Sequence, residues 1–343
     1  MHEVLSFTRQ PTDGRSRDLG DAHEDDVEDS VLAWLLEGDP AIRWQVHRDL
    51  TGNAEATKAD RALVEREGWG AELLARQDPH GTWAQGLYSP KWTSTTYTLL
   101  LLHRLGLRSD HPAARRGTEI LIEGAAEFDG GLTLAKTIRT AETCITGMLV
   151  LLAARFRIDD ARIDAAVEWL AKTQMADGGW NCQQVNGATH SSFHTSITVL
   201  EALQQRYERT ADAAVADMAS HGREFFIDHR LYHSHRTGEV VDRRFTQFSF
   251  PPYWHFDVLR GLDHFRAAGA APHDALRDAV DLVQSRRRPD GRWNLQNVHR
   301  NRTWINMEQG GVPSRWNTLR SLRVLRWWDE RTMAAGQVTR TGK

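Results

Sequence analysis

Cysteine is almost missing from this chain. Cys144 and Cys182 are its only two in 343 residues, too few for a disulfide framework, and a reducing cytoplasm is the default compartment. Tyrosine is scarce beside tryptophan, 5 against 13, so indole dominates the large aromatic surface, and several indoles recur at related places. No apolar run reaches the length of a bilayer span, which argues against a transmembrane helix. The start lacks the basic-then-apolar pattern of a signal peptide and carries an acidic run from Asp21 to Asp29 instead. A net charge of −3 gives no electrostatic case for nucleic acid or for an anionic membrane. What remains is a soluble globular protein that takes a small-molecule partner, long enough for one large domain or two ordinary ones.

Period-two runs of β-branched residues are nearly absent as well, and what stands in their place is repetition. Turn signals of one type occur at Gly81–Trp83, Asp129–Leu132, Asp177–Trp180 and Asp290–Trp293. Gly81, Gly130 and Gly178 are 49 and 48 residues apart, and Gly291 lies 113 beyond Gly178, which leaves room for a degenerate unit near His235–Gly238. Before each turn comes a helical stripe, such as Ile163, Val167 and Leu170. After each turn comes a polar loop and then a second helix. These second helices align as Trp92–Leu105, Arg139–Leu152, Ser192–Leu203, Tyr253–Leu262 and Ser314–Leu325. Ala41–Leu50 supplies a sixth, sharing an Arg-Trp pair (Arg43-Trp44) with Arg315-Trp316. Six helix pairs of about 50 residues each predict an all-α array. The domain is placed at 27–331, between a polar N-terminal tail (1–26) and a C-terminal tail (332–343) read as disordered.

The pattern of Trp169, Leu170, Gln174, Gly178 and Trp180 resembles the QW motif of the terpenoid cyclases, including squalene–hopene cyclases. Leu73, Gln77, Gly81 and Trp83 form a weaker copy. The Asp-Gly-Gly-Trp turn is also similar to turns in protein prenyltransferase β subunits. This resemblance implies an (α/α)6 toroid of six helical hairpins around a central cavity, in a small, divergent, bacterial-type member. It implies an enzyme acting on an isoprenoid or another small organic substrate. The chain departs from the family in its chemistry. It has no Asp-x-Asp-Asp acid motif, no Asp-x-Cys zinc pair, and no Cys-His-Gly signature.

In a toroid of that polarity, the first turns of the inner helices face the cavity, which nominates side chains there. Cys182, His190 and His194 are spaced as zinc ligands, thiolate and imidazole being that ion's preferred donors; the alternative is a buried thiol with two unrelated imidazoles. His255, Asp257, Glu142 and Glu308 are the candidate acids and bases. Asp257 also suits a helix N-terminus, and Glu308 also suits pairing with Arg315. His235 and Arg236, in the charged segment 233–245, are placed to meet an anionic group, or else belong to a surface β-hairpin around Thr237–Gly238. Arg315 is a second anion contact. Trp44, Trp254 and Trp316 are read as the substrate-facing wall, while Trp83, Trp180 and Trp293 are structural.

Three functions compete on these residues. The first is an isoprenoid-processing enzyme of the cyclase or prenyltransferase kind. The second is a zinc-dependent hydrolase or lyase on the same toroid. The third is a non-catalytic small-molecule-binding protein.

Overall fold

The computed structural model describes residues 19–341; the expectations placed on 1–18 and 342–343 lie outside the described residues. Thirteen α-helices account for most of the described chain. They are α1 (Leu19–Leu36), α2 (Pro40–Val46), α3 (Ala54–Leu63), α4 (Gly68–Leu74), α5 (Thr95–Leu105), α6 (Pro112–Glu123), α7 (Thr143–Arg155), α8 (Ala161–Lys172), α9 (Phe193–Thr210), α10 (Ala213–Asp228), α11 (Val258–Ala267), α12 (Arg277–Ser285) and α13 (Arg315–Thr341). Among the described residues the only sheet is a hairpin of two short strands, β1 (Ala126–Phe128) and β2 (Gly131–Thr133). No described helix is long and apolar enough to cross a membrane. α1 and α13 both run into the segments read from sequence as disordered tails, beginning at Leu19 and ending at Thr341.

Two kinds of helix alternate. α5 and α7 are buried on nearly every side, as expected of helices surrounded by protein. α6, α8 and α12 bury one stripe and present charge on the other. Side-chain caps begin several of them: Asp160 accepts from Arg162 N–H, Asp212 from Ala214 N–H, and Ser192 from Thr195 N–H. Pro40 and Pro112 open α2 and α6, where a missing N–H costs nothing.

The repeated turns are built on one arrangement. Trp83, Trp180 and Trp293 are fully buried, and each indole N–H donates to a carbonyl of the helix before it. The acceptors are Leu73 O (2.7 Å), Leu170 O (2.8 Å) and Val283 O (2.7 Å). The turn backbone is held in addition by a hydroxyl from the following buried helix. Trp83, Leu132, Trp180 and Trp293 N–H donate to Thr95, Thr146, Ser196 and Thr318. Gly81, Gly130, Gly178 and Gly291 all take φ between +75° and +93°, a region that favours glycine. Gln77 and Gln174 each bridge their own turn to the next outer helix, at Ala113 O and Met218 O.

The buried helices pack in succession, α5 on α7, α7 on α9, α9 on α11, α11 on α13, and α13 on α2. From α2, Trp44 Nε1 donates to Leu105 O (2.8 Å) and Gln45 to Arg104 O (3.2 Å), which returns the succession to α5. The remaining helices pack on the outside of these. At the N-terminal ends of the inner helices the loops are tied across, Trp92 Nε1 donating to Arg300 O and Trp304 Nε1 to Thr93 O.

Replacing Trp180 with Phe keeps the packed ring but takes the 2.8 Å indole donor from the Leu170 carbonyl, leaving it only the Thr173 hydroxyl at 3.4 Å. A loss of about 1–3 kcal/mol in urea unfolding is expected. A loss under ~0.5 kcal/mol, the range of a neutral surface change, would mean the indole tie is dispensable.

Candidate functional site

The N-terminal ends of the inner helices, where the sequence places the chemistry, are filled with aromatic rings. Trp92 stacks on Tyr253 at 4.0 Å, and Tyr97 meets Trp92 edge-on at 4.8 Å. Trp254, His255 and His299 form a column with centroid spacings of 3.8 Å at both steps. The hollow left beside them is about 60 Å³, walled by Trp92, Tyr253, His299, Trp304 and Glu308, room for one or two waters rather than an organic molecule. Burial and the neighbouring imidazoles press His255 down to about 3. Its Nδ1 is enclosed with no hydrogen-bond partner.

Several nominated acids and bases turn out to hold backbone. Asp257 is buried and caps α11, accepting from Arg260 N–H (2.8 Å) through one oxygen and from Ser249 N–H and Oγ–H through the other. Glu308 likewise accepts from Arg315 and Trp316 N–H at the start of α13, and from the Ser314 hydroxyl. In these positions both carboxylates have their lone pairs committed. Arg315 faces outward, donating to Trp34 O (3.0 Å) and pairing with Glu37, so it secures α1 to α13 rather than lining a cavity. His235 and Arg236 are exposed on a tight hairpin-like turn closed by Ser234 N–H to Glu239 O. Glu142 differs. Its half-buried side chain makes no cap bond at α7, and burial raises its carboxyl against the opposing pull of Lys91.

The expected metal ligands are not gathered. Cys182 Sγ lies 2.8 Å from Cys144 Sγ. His194 Nδ1 accepts the Phe256 N–H at 2.8 Å, and burial presses its imidazole down to about 4. His190 is exposed, its carbonyl held by Asn181. Among the described residues no three His, Cys, Asp or Glu side chains are arranged to hold a metal ion. The spacing suggested a shared site, but the first turn of α9 carries His194 toward residue 256 while the polar loop leaves His190 outside.

The polar cavity lies toward the other end, between the C-terminal parts of α2, α5, α7 and α9, the length of α11 and the first turns of α13. Its volume is about 320 Å³. Arg48, Arg61, Arg104, Arg155, Arg260, Arg266, Arg320 and Arg323 line it, with Glu201, Glu208 and Asp263 as the lining carboxylates. A π-helical turn, His47–Thr51, carries Arg48 to the rim. Two carboxylates organise the interior. Glu201 of α9 receives Arg104 (2.8 Å) and Arg260 (2.9 and 2.7 Å). Asp263 of α11 receives Arg266 (2.9 Å) and Arg323 (2.8 Å), and Arg323 reaches on to Asp49 and Gln45 of the α2 region. Desolvation opposes both charges. The surrounding guanidiniums prevail and hold both carboxyls far below the ordinary carboxylate range.

The arginine surplus gathers in one corner. Arg61 donates to Gly106 O (3.1 Å) and Arg155 to Leu107 O, and neither forms an ion pair among the described residues. Burial, with Arg61 as a neighbouring like charge, presses Arg155 down to about 10. His103 Nδ1 and His264 Nε2, both in the lining, are enclosed without hydrogen-bond partners. Trp44, named from sequence as a wall residue, sits here, with Arg48 and Arg61 over its ring at 4.6 and 5.1 Å. Trp316 is buried beneath Phe250 (4.0 Å, 12°). Phe250 borders both hollows, so this stack divides the aromatic end from the arginine end. Sequence reading missed Arg104, Glu201, Arg260, Asp263, Arg320 and Arg323. Their available signal was charge on the buried face of helices that are otherwise apolar.

No protein-family model matches the sequence, and no curated protein does. Among solved structures the chain is similar to a protein from Actinoplanes, with 16% identity, 85% of this chain and 89% of that one covered, and a TM-score of 0.45. It is similar to the type II terpene cyclase MstE from Scytonema, with 16% identity, 88% and 97% covered, and a TM-score of 0.42. A variant of that enzyme in complex with geranylgeranyl dihydroxybenzoate gives 17% identity, 88% and 95% covered, and a TM-score of 0.41.

Glu201→Gln removes one charge and leaves Arg104 and Arg260 facing each other, so a loss of about 3–5 kcal/mol is expected in denaturant unfolding. Because the folded pKa of Glu201 is depressed, its contribution is complete above about pH 4.3, the unfolded value, and fades as pH falls toward the folded one. The variant should therefore lose less stability than the parent between pH 5 and pH 3, about the span in which an unfolded carboxylate titrates. An equal slope in both proteins would overturn this assignment.

Proposed function

We propose that this chain is a six-hairpin (α/α)6 toroid that takes a small organic molecule with an anionic head into its arginine-lined cavity. The isoprenoid class is the reading to which the QW-like turns point. The return of the helix succession from α13 to α2 supports the ring. The observation that carries the ligand reading is the corner of Arg61 and Arg155. Two half-buried guanidiniums that make no described ion pair, with only the more distant charge of Glu208 acting on Arg155, stand beside an imidazole nitrogen with no hydrogen-bond partner of its own. Such groups are costly to bury alone and favourable around an anion. Trp44, Phe250 and Trp316 offer an apolar surface for the body of the molecule.

A second reading makes the protein an enzyme, with Glu142 as a general acid. It is favoured by a carboxyl that burial keeps protonated more readily than usual and that no cap bond engages. Donation of its proton to an alkene carbon would leave a carboxylate beside Lys91.

Thermal-shift and calorimetric titrations with farnesyl diphosphate, inorganic diphosphate and farnesol test the ligand reading. Farnesyl diphosphate should stabilise the fold, by about 2.7 kcal/mol at a hundredfold excess over Kd, and farnesol should not. Arg155→Met should abolish that stabilisation while leaving the unliganded protein at least as stable, because a half-buried cation beside the like charge of Arg61 is gone. Equal binding of farnesol, or unchanged binding by Arg155→Met, would sink the proposal. For the second reading, Glu142→Gln should retain ligand stabilisation and lose turnover; activity that survives the substitution would exclude Glu142 as the acid.

A further inference from the structure

The two cysteines serve neither the cavity nor a metal, yet they meet. Cys144 is the second residue of α7, and Cys182 lies 38 residues on, in the loop between the Trp180 turn and α9. Their sulfurs are 2.8 Å apart, and both residues remain partly exposed. The Cys144 N–H, one of the donors that helix geometry leaves unpaired at an N-terminus, points at Cys182 Sγ from 3.2 Å. Thr195 Oγ1, on the first turn of α9, stands 3.5 Å from Cys182 Sγ and 3.4 Å from Cys144 Sγ. An amide at a positive helix end, a hydroxyl and a second thiol thus converge on one sulfur. That environment favours a thiolate at Cys182. The sulfur–sulfur contact draws the Cys182 thiol down and raises Cys144, against burial and the nearby Glu142, which push Cys182 up.

We propose that Cys144 and Cys182 are a peroxide-sensitive dithiol, in which Cys182 is oxidised first and Cys144 resolves it to an intramolecular disulfide. The Cys182 thiolate attacks hydrogen peroxide. An S–O bond forms, the O–O bond breaks, and the departing hydroxide takes up a proton as water. Cys144 Sγ then attacks the sulfur of that sulfenic acid, forming S–S and breaking S–O. The second hydroxide leaves as water with the Cys144 proton. Two thiols and one peroxide become one disulfide and two waters. The bond staples the first turn of α7 to the loop that leads into α9, its packing neighbour. Two cysteines too few for a framework suffice for a switch.

Full-length protein treated with hydrogen peroxide, alkylated and weighed tests this. Both free thiols should disappear together, with a mass two hydrogens lower in the monomer. The thermal midpoint should rise and be restored by dithiothreitol. Cys144→Ser should strand Cys182 as a sulfenic acid captured by dimedone, and Cys182→Ser should leave Cys144 unlabelled at the same dose. Disulfide-linked dimers, two intact thiols, or equal dimedone labelling of the two variants would overturn the proposal. Circular dichroism of both variants separates loss of the thiol from loss of the fold.

Discussion

The whole arrangement depends on the buried indoles that follow α4, α8 and α12. A tryptophan in a protein core brings a large apolar area and one donor that must be satisfied. At Trp83, Trp180 and Trp293 that donor goes to the carbonyl ten residues back, in the last turn of the preceding helix, where internal hydrogen bonding is thinning out. One bond therefore satisfies a core donor and a helix terminus at once, and it fixes the angle at which the chain turns inward. The hydroxyls of Thr95, Ser196 and Thr318 then accept the tryptophan N–H and set how far along the inner helix the turn docks. Where leucine replaces tryptophan, at Leu132, the indole tie is gone but the Thr146 hydroxyl remains, and the turn is stiffened by the β1–β2 hairpin instead.

Much of this was legible in sequence because glycine, glutamine and tryptophan at fixed offsets have few other uses. A glycine held at positive φ and a tryptophan two residues on report a backbone conformation directly. The inner helices were legible from their apolar character, and the expected starts fall near the observed ones at α5, α7, α9 and α13, although α9 and α13 run on past the expected ends Leu203 and Leu325. The docking hydroxyls were not read, since their separation from the turn varies from 12 to 25 residues with loop length. The site was harder still. Periodicity says which residues share a face of a helix, but not which end of a group of helices is plugged. Trp254, read as a wall residue, and His255, read as an acid or base, stand instead in an aromatic column with His299. Asp257 carried an available signal for capping, an acid just before a helix, whereas Glu308 reaches the start of α13 from seven residues upstream, which no local pattern announces.

The arginine interior could not be located from composition, because charged side chains are normally solvated. It is sustained by an uneven bargain. Glu201 and Asp263 each hold two guanidiniums, and buried pairs of this kind contribute more to geometry than to stability. They join α5, α9, α11, α13 and the α2 region through side chains whose lengths and directions are fixed. A hydrophobic interior would pack as well but would tolerate sliding between neighbours. The charges therefore act as register pins for the inner helices.

Pinning does not explain the surplus. Arg104, Arg260, Arg266, Arg320 and Arg323 share Glu201, Asp263, Asp49 and Asp257, whereas Arg61 and Arg155 lean on carbonyls at the end of α5. Helix C-termini present partial negative charge, so they hold cations in place without neutralising them. A guanidinium anchored by one carbonyl keeps further N–H donors directed elsewhere. On the proposed reading, Arg61 against Trp44 and its like-charged neighbour Arg155 receive negative charge, their repulsion borne by the fold in advance. An arriving anion relieves that repulsion and needs little rearrangement, which is the physical form of preorganisation. The tryptophans thus do two jobs: those in the turns fix where the inner helices stand, and Trp44 at the cavity carries Arg48 and Arg61 over its ring.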